Sequence, residues 1–462
     1  MRKLLPAILV PLLAGCSVGP DYQRPATPEP AAWQGPAGAA WPGLDWWQGF
    51  QSPHLQDLLD DARKTNFDLG AAAARVRQAD AQVRIAGGAL LPSVGFAGGP
   101  TRSRSLPATK SGAAPQGVNT FSGVFTASYE LDFWGRNADA VAAAQATAQG
   151  LRYDQETTAL TVEANVASTY FTALALRDRL AAAKGNVVVA EHTLDAIRAR
   201  LDVGTASALD LAQQESVVAE QKALIPPLLQ GYKQNTYALA ILVGKLPEEL
   251  HLDDEGLDAI TLPAVAPGLP SELLARRPDV RSAEAQLIAA NATIKEATAA
   301  IFPSLTLTAQ GGAESYALSK LLEPHSTLYL LGASLAQPIF EGGVLEGGIE
   351  LEKARWDELT QDYQKAVVSA FADVESELVA VEQGRAQEEA ERVSVDTARR
   401  AYQIVQAQLF SGTVDIVTVL NTQRALFQAE DLLFQARLAH AQAVVGLFRA
   451  LGGGWQDQPV RS

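Results

Sequence analysis

The chain has 462 residues, of which 47% are hydrophobic and 19% are charged, and this balance excludes an intrinsically disordered protein. Acidic residues outnumber basic ones by 52 to 37, and the basic residues are scattered. Because such a charge repels phosphates and anionic headgroups, we predict no nucleic-acid partner. After the first residues no apolar run reaches about 18 residues, which excludes a transmembrane helix and leaves strands as the means of crossing a membrane.

The first 15 residues have the features of a secretory signal peptide. Arg2 and Lys3 precede an apolar run at 4–14 that is too short to span a bilayer. The run ends in Leu-Ala-Gly-Cys, which resembles a bacterial lipobox, so we expect Cys16 to begin the mature protein and to carry diacylglycerol and an N-linked acyl chain. A buried free thiol is the alternative, but this single cysteine lies outside any foldable segment. Ser17, instead of an aspartate, favours the outer membrane over the inner one.

An internal repeat organises the chain. The segment 200–205 recurs at 408–413 and the segment 238–244 recurs at 446–452, both with an offset of 208 positions. A third match, 91–93 with 302–304, has an offset of 211. A period of about 200 residues is much longer than that of a solenoid repeat, so we predict two copies of one structural unit.

The duplication divides the chain into six predicted segments. These are a signal peptide at 1–15, a lipidated N-terminal linker at 16–54, a first repeat at 55–245, an equatorial linker at 246–270, a second repeat at 271–455 and a C-terminal tail at 456–462. Each repeat is predicted to contain a helix, two strands and two long helices.

The first repeat begins with an alanine-rich helix at 55–89 that stops before Pro92. In the segment 121–131, apolar residues occupy odd positions and mostly polar residues occupy even positions, which is typical of a strand with one apolar face. Gly98, Gly99 and Pro100 weaken the prediction of the strand before it. The four predicted strands are 93–104, 121–131, 304–312 and 328–337.

Four strands cannot close a barrel, and an open sheet in lipid would leave backbone groups unpaired at its edges. We therefore predict that several copies combine into a barrel with an apolar outer face and a water-filled lumen. A small soluble sheet that packs its apolar face on helices is the alternative, and the alternation alone does not decide between them. The helices that follow favour the barrel.

A helical hairpin ends each half, at 135–243 and at 342–451. Proline is absent from the first two-thirds of each hairpin, so each begins with one helix of roughly 70 residues, which is on the order of 100 Å long. The alanine-rich composition predicts coiled-coil packing. Gly204 or Gly412 ends the long helix, and a shorter helix returns. In the first half the returning helix must kink or break at Pro226-Pro227.

Five motifs are spread in order along the chain. They are Cys16-Ser17-Val18-Gly19-Pro20-Asp21-Tyr22, Trp46-Trp47 with Phe50 and Pro53-His54-Leu55, Arg276-Arg277-Pro278-Asp279-Val280-Arg281, Pro338-Ile339-Phe340-Glu341-Gly342-Gly343, and Leu451-Gly452-Gly453-Gly454-Trp455. Together they resemble the TolC-like outer membrane factor family, in its lipoprotein branch of the NodT and OprM kind. The resemblance implies a mainly α protein with membrane β: a homotrimeric duct whose chains each give four strands to a twelve-stranded barrel, above a periplasmic tunnel of coiled-coil helices.

The resemblance also implies a passive exit duct in the outer membrane, which is both lipid-anchored and membrane-spanning. Its partners would be a periplasmic adaptor (membrane fusion) protein and an inner-membrane RND-type pump, and it would export drugs or other small toxic compounds. The exit duct of a type I protein secretion system is an alternative, and a structural lipoprotein that spans the periplasm is another. The five histidines are far apart and no phosphate-binding loop occurs, so we predict no catalytic, cofactor or metal site and no enzyme.

The resemblance places adaptor contact and channel closure at the two hairpin tips. The predicted tip residues are Arg200, Leu201, Gly204, Thr205, Leu409, Gly412 and Thr413, and the aperture candidates are Asp210, Asp415, Thr418 and Asn421. Asp210 matches an aspartate that holds the closed tip in relatives, although a solvated carboxylate is the alternative. Thr418 and Asn421 stand where relatives have acids, which argues against an acidic ring. Leu409 and Val414 replace a tyrosine and an arginine, so we expect apolar contacts to hold the tip.

Overall fold

A computed structural model describes residues 18–28, 30–34, 41–104, 117–252, 255–265, 267–411 and 413–456, so Cys16 and Gly412 lie outside the described residues. The elements are α1 (Pro53–Thr65), α2 (Phe67–Gly87), β1 (Ser93–Arg104), β2 (Gly117–Leu131), α3 (Arg136–Asp202), α4 (Ala208–Leu242), α5 (Pro270–Arg276), α6 (Pro278–Ala299), β3 (Ser304–Ser315), β4 (Thr327–Ala336), α7 (Val344–Ser411) and α8 (Ile416–Ala450). Within the described ranges, no helix combines the length and the hydropathy needed to cross a membrane.

The two halves contain the same elements in the same order, as the duplication predicts: two helices, two strands, one long helix and one shorter helix. The compact units of the chain, however, do not follow the halves. One unit comprises Met1–Ala26, Arg75–Arg152 and Ser282–Tyr363, and the other comprises Thr27–Ala74, Tyr153–Arg281 and Gln364–Ser462. Each unit draws on both halves because segments of the two halves pack together, as when β2 of the first half pairs with β3 of the second.

The four strands form one antiparallel sheet in the order β1-β2-β3-β4. β1 covers the segment 93–104 despite Pro100, because an edge strand tolerates a residue without an N–H group. β2 begins at Gly117, four residues before its predicted start, because it continues to pair with β1 up to Arg104. β3 ends at Ser315, three residues later than predicted, and β4 lies one residue earlier than predicted.

The prediction of one helix at 55–89 is wrong, because the chain leaves the helical conformation at Asn66. Asn66 has extended backbone angles (φ −63°, ψ 132°). Its side-chain oxygen accepts hydrogen bonds from the N–H groups of Asp68 (2.9 Å) and Leu69 (3.1 Å), which caps the start of α2. Its side-chain nitrogen donates to the carbonyl of Leu242, the last residue of α4 (2.8 Å). The break thus joins α1 and α2 to the end of the returning helix.

The second half breaks at the equivalent position, Arg277, between α5 and α6. Arg277 donates to the carbonyl of Ala450, the last residue of α8 (3.3 Å). It also forms ion pairs with Asp279 (2.6 Å) and Asp373 (3.0 Å), which compensate for burying a side chain that is only 11% exposed. The Arg-Arg-Pro-Asp motif therefore has a structural role, in which it ties α5 and α6 to the end of α8.

A glycine after each returning helix packs against the same break. Gly244 (φ 65°) follows α4, and Gly452 (φ 83°) follows α8. A Cβ on Gly244 would lie 2.4 Å from the carbonyl oxygen of Thr65, and a Cβ on Gly452 would lie 2.2 Å from that of Arg276. Both positions require glycine because the backbone is left-handed and because there is no room for a side chain.

The aromatic motif near the N-terminus belongs to the hydrophobic core of the unit that holds the hairpin tips. Trp46 stacks on Phe448 of α8 with ring centroids 4.9 Å apart, and Phe50 is fully buried 5.1 Å from Phe171 of α3. The glycine-rich motif meets the same region, where a Cβ on Gly454 would clash with the backbone of Gly43. These motifs stabilise the fold.

Of the predicted kink or break at Pro226-Pro227, the break is wrong, because α4 continues through both prolines. Each proline lacks the N–H group that would bond to a carbonyl four residues earlier, at Lys222 and Ala223. These residues and both prolines are exposed, so water can bond to the freed carbonyl groups.

Residues 19–24, named the strap, pack along α6. Arg24 forms a two-bond ion pair with Glu284 (2.6 and 2.5 Å). Asp21 pairs with Lys295 (3.2 Å). The chain that follows the lipobox is therefore held against α6, and Lys295 lies shortly before the start of β3.

We predict that Gly452→Ala destabilises the protein more than Gly204→Ala does. Both glycines have positive φ (83° and 76°), so alanine strains the backbone at both by about 1–2 kcal/mol. No neighbouring atom lies within 4 Å of a Cβ on Gly204, whereas the clash at Gly452 adds about 1–3 kcal/mol. Thermal unfolding followed by circular dichroism measures the difference. Equal losses of stability in the two variants would contradict the close contact at Gly452.

Candidate functional site

The sheet has one face that is apolar on all four strands. One row of opposed residues crosses all four strands. It runs from Phe96 of β1 to Phe125 of β2, then to Gly311 of β3 and Tyr329 of β4. Opposed residues, and residues two apart along a strand, point to the same side. This side is named the apolar face, and its larger side chains are Val94, Phe96, Phe121, Phe125, Tyr129, Leu131, Leu305, Leu307, Tyr329, Leu331 and Leu335.

The described residues leave the apolar face largely exposed. Phe96 and Phe125 are 64% and 61% exposed, and Leu331 and Leu335 are 75% and 70% exposed. A soluble sheet packed on helices would bury these side chains, so that alternative is wrong for this chain. A continuous exposed apolar surface of this kind marks a membrane or protein contact.

The sheet also has two unpaired edges. In the described residues β1 pairs only with β2, and β4 pairs only with β3. The outer N–H and C=O groups of both edge strands therefore lack strand partners within the sheet. An apolar face combined with two open edges requires pairing with a further strand wherever the sheet is removed from water.

The first hairpin tip connects α3 to α4 through a tight turn. The N–H group and the hydroxyl of Thr205 both donate to the carbonyl of Arg200 (2.8 and 3.1 Å), which closes the end of α3. Gly204 supplies the left-handed backbone (φ 76°). Gly204 and Thr205 thus lie in the turn between α3 and α4, and Leu201 precedes them on α3.

Asp210 is part of the cap of α4. Its carboxylate accepts hydrogen bonds from the backbone N–H (2.7 Å) and the hydroxyl (2.8 Å) of Ser207, while Ser207 accepts from the N–H of Asp210 (3.2 Å). This reciprocal pair is a capping box. The carboxylate is therefore engaged within its own hairpin rather than simply solvated.

The second tip reverses the order of acid and hydroxyl. Asp415 is the N-cap of α8 and accepts from the N–H of Thr418 (2.7 Å), and this hydrogen bond lowers the pKa of the Asp415 carboxyl. Thr418 occupies the helix position that Asp210 has in α4, so the acid has moved to the cap. The N–H group of Thr413 donates to the carbonyl of Gln408 (3.1 Å), just as the N–H group of Thr205 donates to the carbonyl of Arg200 at the first tip. Asn421 is exposed on the next turn.

Among the described residues, a hydrogen bond connects the two tips: Arg200 donates from Nη1 to the carbonyl of Leu409 (2.9 Å). An apolar cluster packs the second tip, in which Leu409 is 4% exposed and packs with Tyr402 and Val419, and Val414 packs against the same cluster. Leu409 and Val414 thus make apolar contacts within the second hairpin.

A buried polar network behind the tips was missed by the sequence analysis. Gln214 of α4 and Gln423 of α8 are fully buried, and the Gln214 amide donates to the carbonyl of Ala190 (2.7 Å) and to Gln423 (3.5 Å). Gln423 donates to the hydroxyl of Tyr402 (3.3 Å), which lies 3.4 Å from that of Thr193. The network joins α3, α4, α7 and α8. Both glutamines stand at apolar spacing among buried valines and leucines, a pattern that could have identified them.

No group of side chains suited to a metal ion occurs among the described residues. Glu388 is 8% exposed and lies 2.8 Å from Nδ1 of the equally buried His440. The hydrogen bond to His440 lowers the pKa of the Glu388 carboxyl. This pair joins α7 to α8, and its connection across 52 residues could not be read from spacing.

Known proteins share this arrangement along nearly the whole chain. The family model of outer membrane efflux proteins matches residues 58–245 and 269–453. The pyoverdine export outer membrane protein OpmQ of Pseudomonas aeruginosa is 38% identical over 96% of this chain and 95% of its own length. The toluene efflux pump outer membrane protein TtgF of Pseudomonas putida is 35% identical, with the same coverage.

The fold is that of a solved channel. The CmeC outer membrane channel of Campylobacter jejuni superposes with a TM-score of 0.89 at 25% identity, over 96% of each chain. The predicted fold class, with long helices and four strands in each chain, is therefore confirmed. On this sequence and structural similarity, the chain belongs to the outer membrane efflux protein family.

Proposed function

We propose that this chain is the outer-membrane subunit of a tripartite efflux system and forms the passive exit duct for small organic compounds. The observation that carries the proposal is the exposed apolar face on a sheet with two open edges. A face of this kind suits contact with lipid, and a soluble spacer between membranes has no use for it.

Three copies satisfy the open edges if β4 of one chain pairs with β1 of the next. Such a homotrimer would close a twelve-stranded barrel with its apolar face toward lipid and its polar face toward a water-filled lumen. The polar face fits this role, since Thr126 and Ser128 of β2 lie opposite Gln310 and Thr308 of β3.

The helical hairpins would continue the duct into the periplasm. α3 has 67 residues and α7 has 68, so each is on the order of 100 Å long. The tips would meet a periplasmic adaptor protein, which connects the duct to an inner-membrane RND-type pump. Arg200, Leu201, Thr205, Leu409 and Thr413 would make that contact, together with Gly204 and Gly412.

The duct would perform no catalysis, since the pump supplies the energy. The relatives named above carry pyoverdine and toluene, which are small organic molecules, and this favours small compounds over secreted proteins as the cargo. Asp210, Asp415, Thr418 and Asn421 would surround the aperture. Because Thr418 and Asn421 are neutral, the aperture would lack a full acidic ring at the second tip.

Cys16 would carry the acyl chains that anchor the protein to the outer membrane. The strap supports this role, because Arg24 and Asp21 hold the chain after the lipobox against α6. α6 ends at Ala299 and β3 begins at Ser304, so the anchor would lie near the start of the sheet.

We expect Phe125→Arg to reduce the yield of assembled protein in the outer membrane far more than Thr126→Arg. The two positions are adjacent on β2 and therefore lie at nearly the same depth, but they point to opposite faces. An arginine on the lipid-facing side costs about 2–4 kcal/mol at the bilayer midplane, whereas one in a wet lumen costs little. Quantitative immunoblotting of outer membranes and the native mass of the detergent-purified protein provide the measurement. Equal yields of the two variants, or a monomeric mass for the unmodified chain, would refute the proposed duct.

We expect the channel to conduct more ions when the hydrogen bond between the two tips is removed. Arg200→Ala deletes the hydrogen bond to the Leu409 carbonyl, which contributes about 1–3 kcal/mol in each chain. Arg198→Ala is the matched control, because within the described residues the ion pairs of Arg198 are with Asp195 and Glu215 of its own hairpin. We expect higher single-channel conductance in planar bilayers for the Arg200 variant alone. The same conductance in both variants and in the unmodified protein would show that this tie does not hold the aperture closed.

We expect Cys16→Ser to abolish acylation without preventing assembly, because the sheet edges rather than the anchor join the chains. Metabolic labelling with palmitate measures acylation, and native mass measures assembly. Undiminished label in the variant would rule out Cys16 as the lipid attachment site.

A further inference from the structure

The loop that leaves β4 exposes two large apolar side chains. Ile339 and Phe340 are 88% and 89% exposed, and they lie between the end of β4 and the start of α7. They belong to the Pro-Ile-Phe-Glu-Gly-Gly motif, and the part of the chain that the structure describes does not cover them. Two adjacent side chains of this size are costly to leave in water, at about 1.5–3 kcal/mol for each one that could be buried.

The loop that leaves β2 shows how an equivalent aromatic side chain is covered. Trp134 follows β2 and stacks on Phe302, with ring centroids 4.8 Å apart and planes 25° from parallel. Its indole N–H donates to the carbonyl of Pro303 (2.8 Å). Phe302 and Pro303 lead directly into β3, which is the strand beside β2. The exit of one strand therefore packs on the segment leading into its neighbour.

By the internal repeat, the segments that correspond to the two sides of this contact lie at the open edges of the sheet. The segment 302–304 that leads into β3 corresponds to 91–93, which leads into β1. Leu91 in that segment and Leu90 just before it are 67% and 36% exposed. β4 is an edge strand, so the segment that should cover its exit loop is not beside it in the same chain.

We propose that Ile339 and Phe340 of one copy dock on Leu90 and Leu91 of the next copy. The contact repeats between chains the one that Trp134 makes with Phe302 and Pro303 within a chain. It rests on the proposed function, because it requires β4 of one copy to lie beside β1 of another. In the trimer, this apolar contact would occur three times, once beside each pairing of β4 with β1 of the next copy.

A second copy fits these side chains better than lipid does. Trp134, at the corresponding exit, is partly buried by protein and bonds to a backbone carbonyl. Leu90 and Leu91 supply a complementary apolar surface that is otherwise uncovered. Glu341, which directly follows Phe340 and precedes two glycines, would be carried into lipid if the loop inserted there.

Cysteine crosslinking of the full-length protein tests the proposal. In a Cys16→Ser background, which has no other cysteine, Leu91→Cys is combined with Phe340→Cys and treated with a short bis-maleimide. We expect about tenfold more covalent dimer and trimer than for either single variant, because docking gives the two thiols a high effective concentration. Trp134→Cys with Phe302→Cys is the control, and it should crosslink within the chain and leave the denatured protein monomeric.

The native mass separates the two ways in which this experiment can fail. Native trimers in which the control pair reacts but the Leu91 and Phe340 pair does not would overturn the docking contact and leave the duct intact. Native monomers would instead overturn the proposed function and the contact with it. The chain has seven tryptophans, so Phe340→Trp is compared with the unmodified protein. Fluorescence quenching by brominated lipids that is stronger in the variant would assign the loop to the membrane and overturn the proposal, whereas an added tryptophan signal that is not quenched would support docking on protein.

Discussion

A backbone removed from water must pair its N–H and C=O groups, and a sheet of four strands leaves two rows of them unpaired, at β1 and at β4. The same sheet exposes an apolar face that none of the described helices covers. One copy can neither pair its own edge strands nor bury its apolar face. Both requirements are met if copies join edge to edge with the apolar face outward, and the proposed trimer is the closed form of that arrangement. The exposed loop of Ile339 and Phe340 adds a third incomplete surface at the same edge.

The duplication explains how the rest of the fold is held. In each half the chain breaks between two helices, and the residue at the break, Asn66 or Arg277, bonds to the last carbonyl of the returning helix. In each half a glycine then packs against the break. Two different side chains, an amide and a guanidinium, thus perform one task. Several motifs that mark the family are residues of these junctions, so they report the architecture and not the cargo.

The hairpin tips differ more than the junctions do. The first cap places a hydroxyl before an acid, at Ser207 and Asp210, and the second places an acid before a hydroxyl, at Asp415 and Thr418. Among the described residues, a hydrogen bond from Arg200 connects them, and an apolar cluster around Leu409 packs the second tip. Behind the tips, the buried amides of Gln214 and Gln423 favour one register between the four helices, because an unpaired buried amide is costly.

The sequence by itself determined the class of fold, the duplication, the long helices and the position of the tips, because these depend on periodicity, on the absence of proline and on glycine at turns. It located the strands to within four residues. It did not determine the break at Asn66, the continuity of α4 through Pro226 and Pro227, or the pairing of Glu388 with His440. Each of these depends on a tertiary contact: the carbonyl that Asn66 bonds to, the solvent that reaches the two prolines, and the partner that lies beside Glu388. The alternation of 121–131 allowed both a soluble and a lipid-facing sheet, and only the register of four strands, with no helix packed on the apolar face, decided between them.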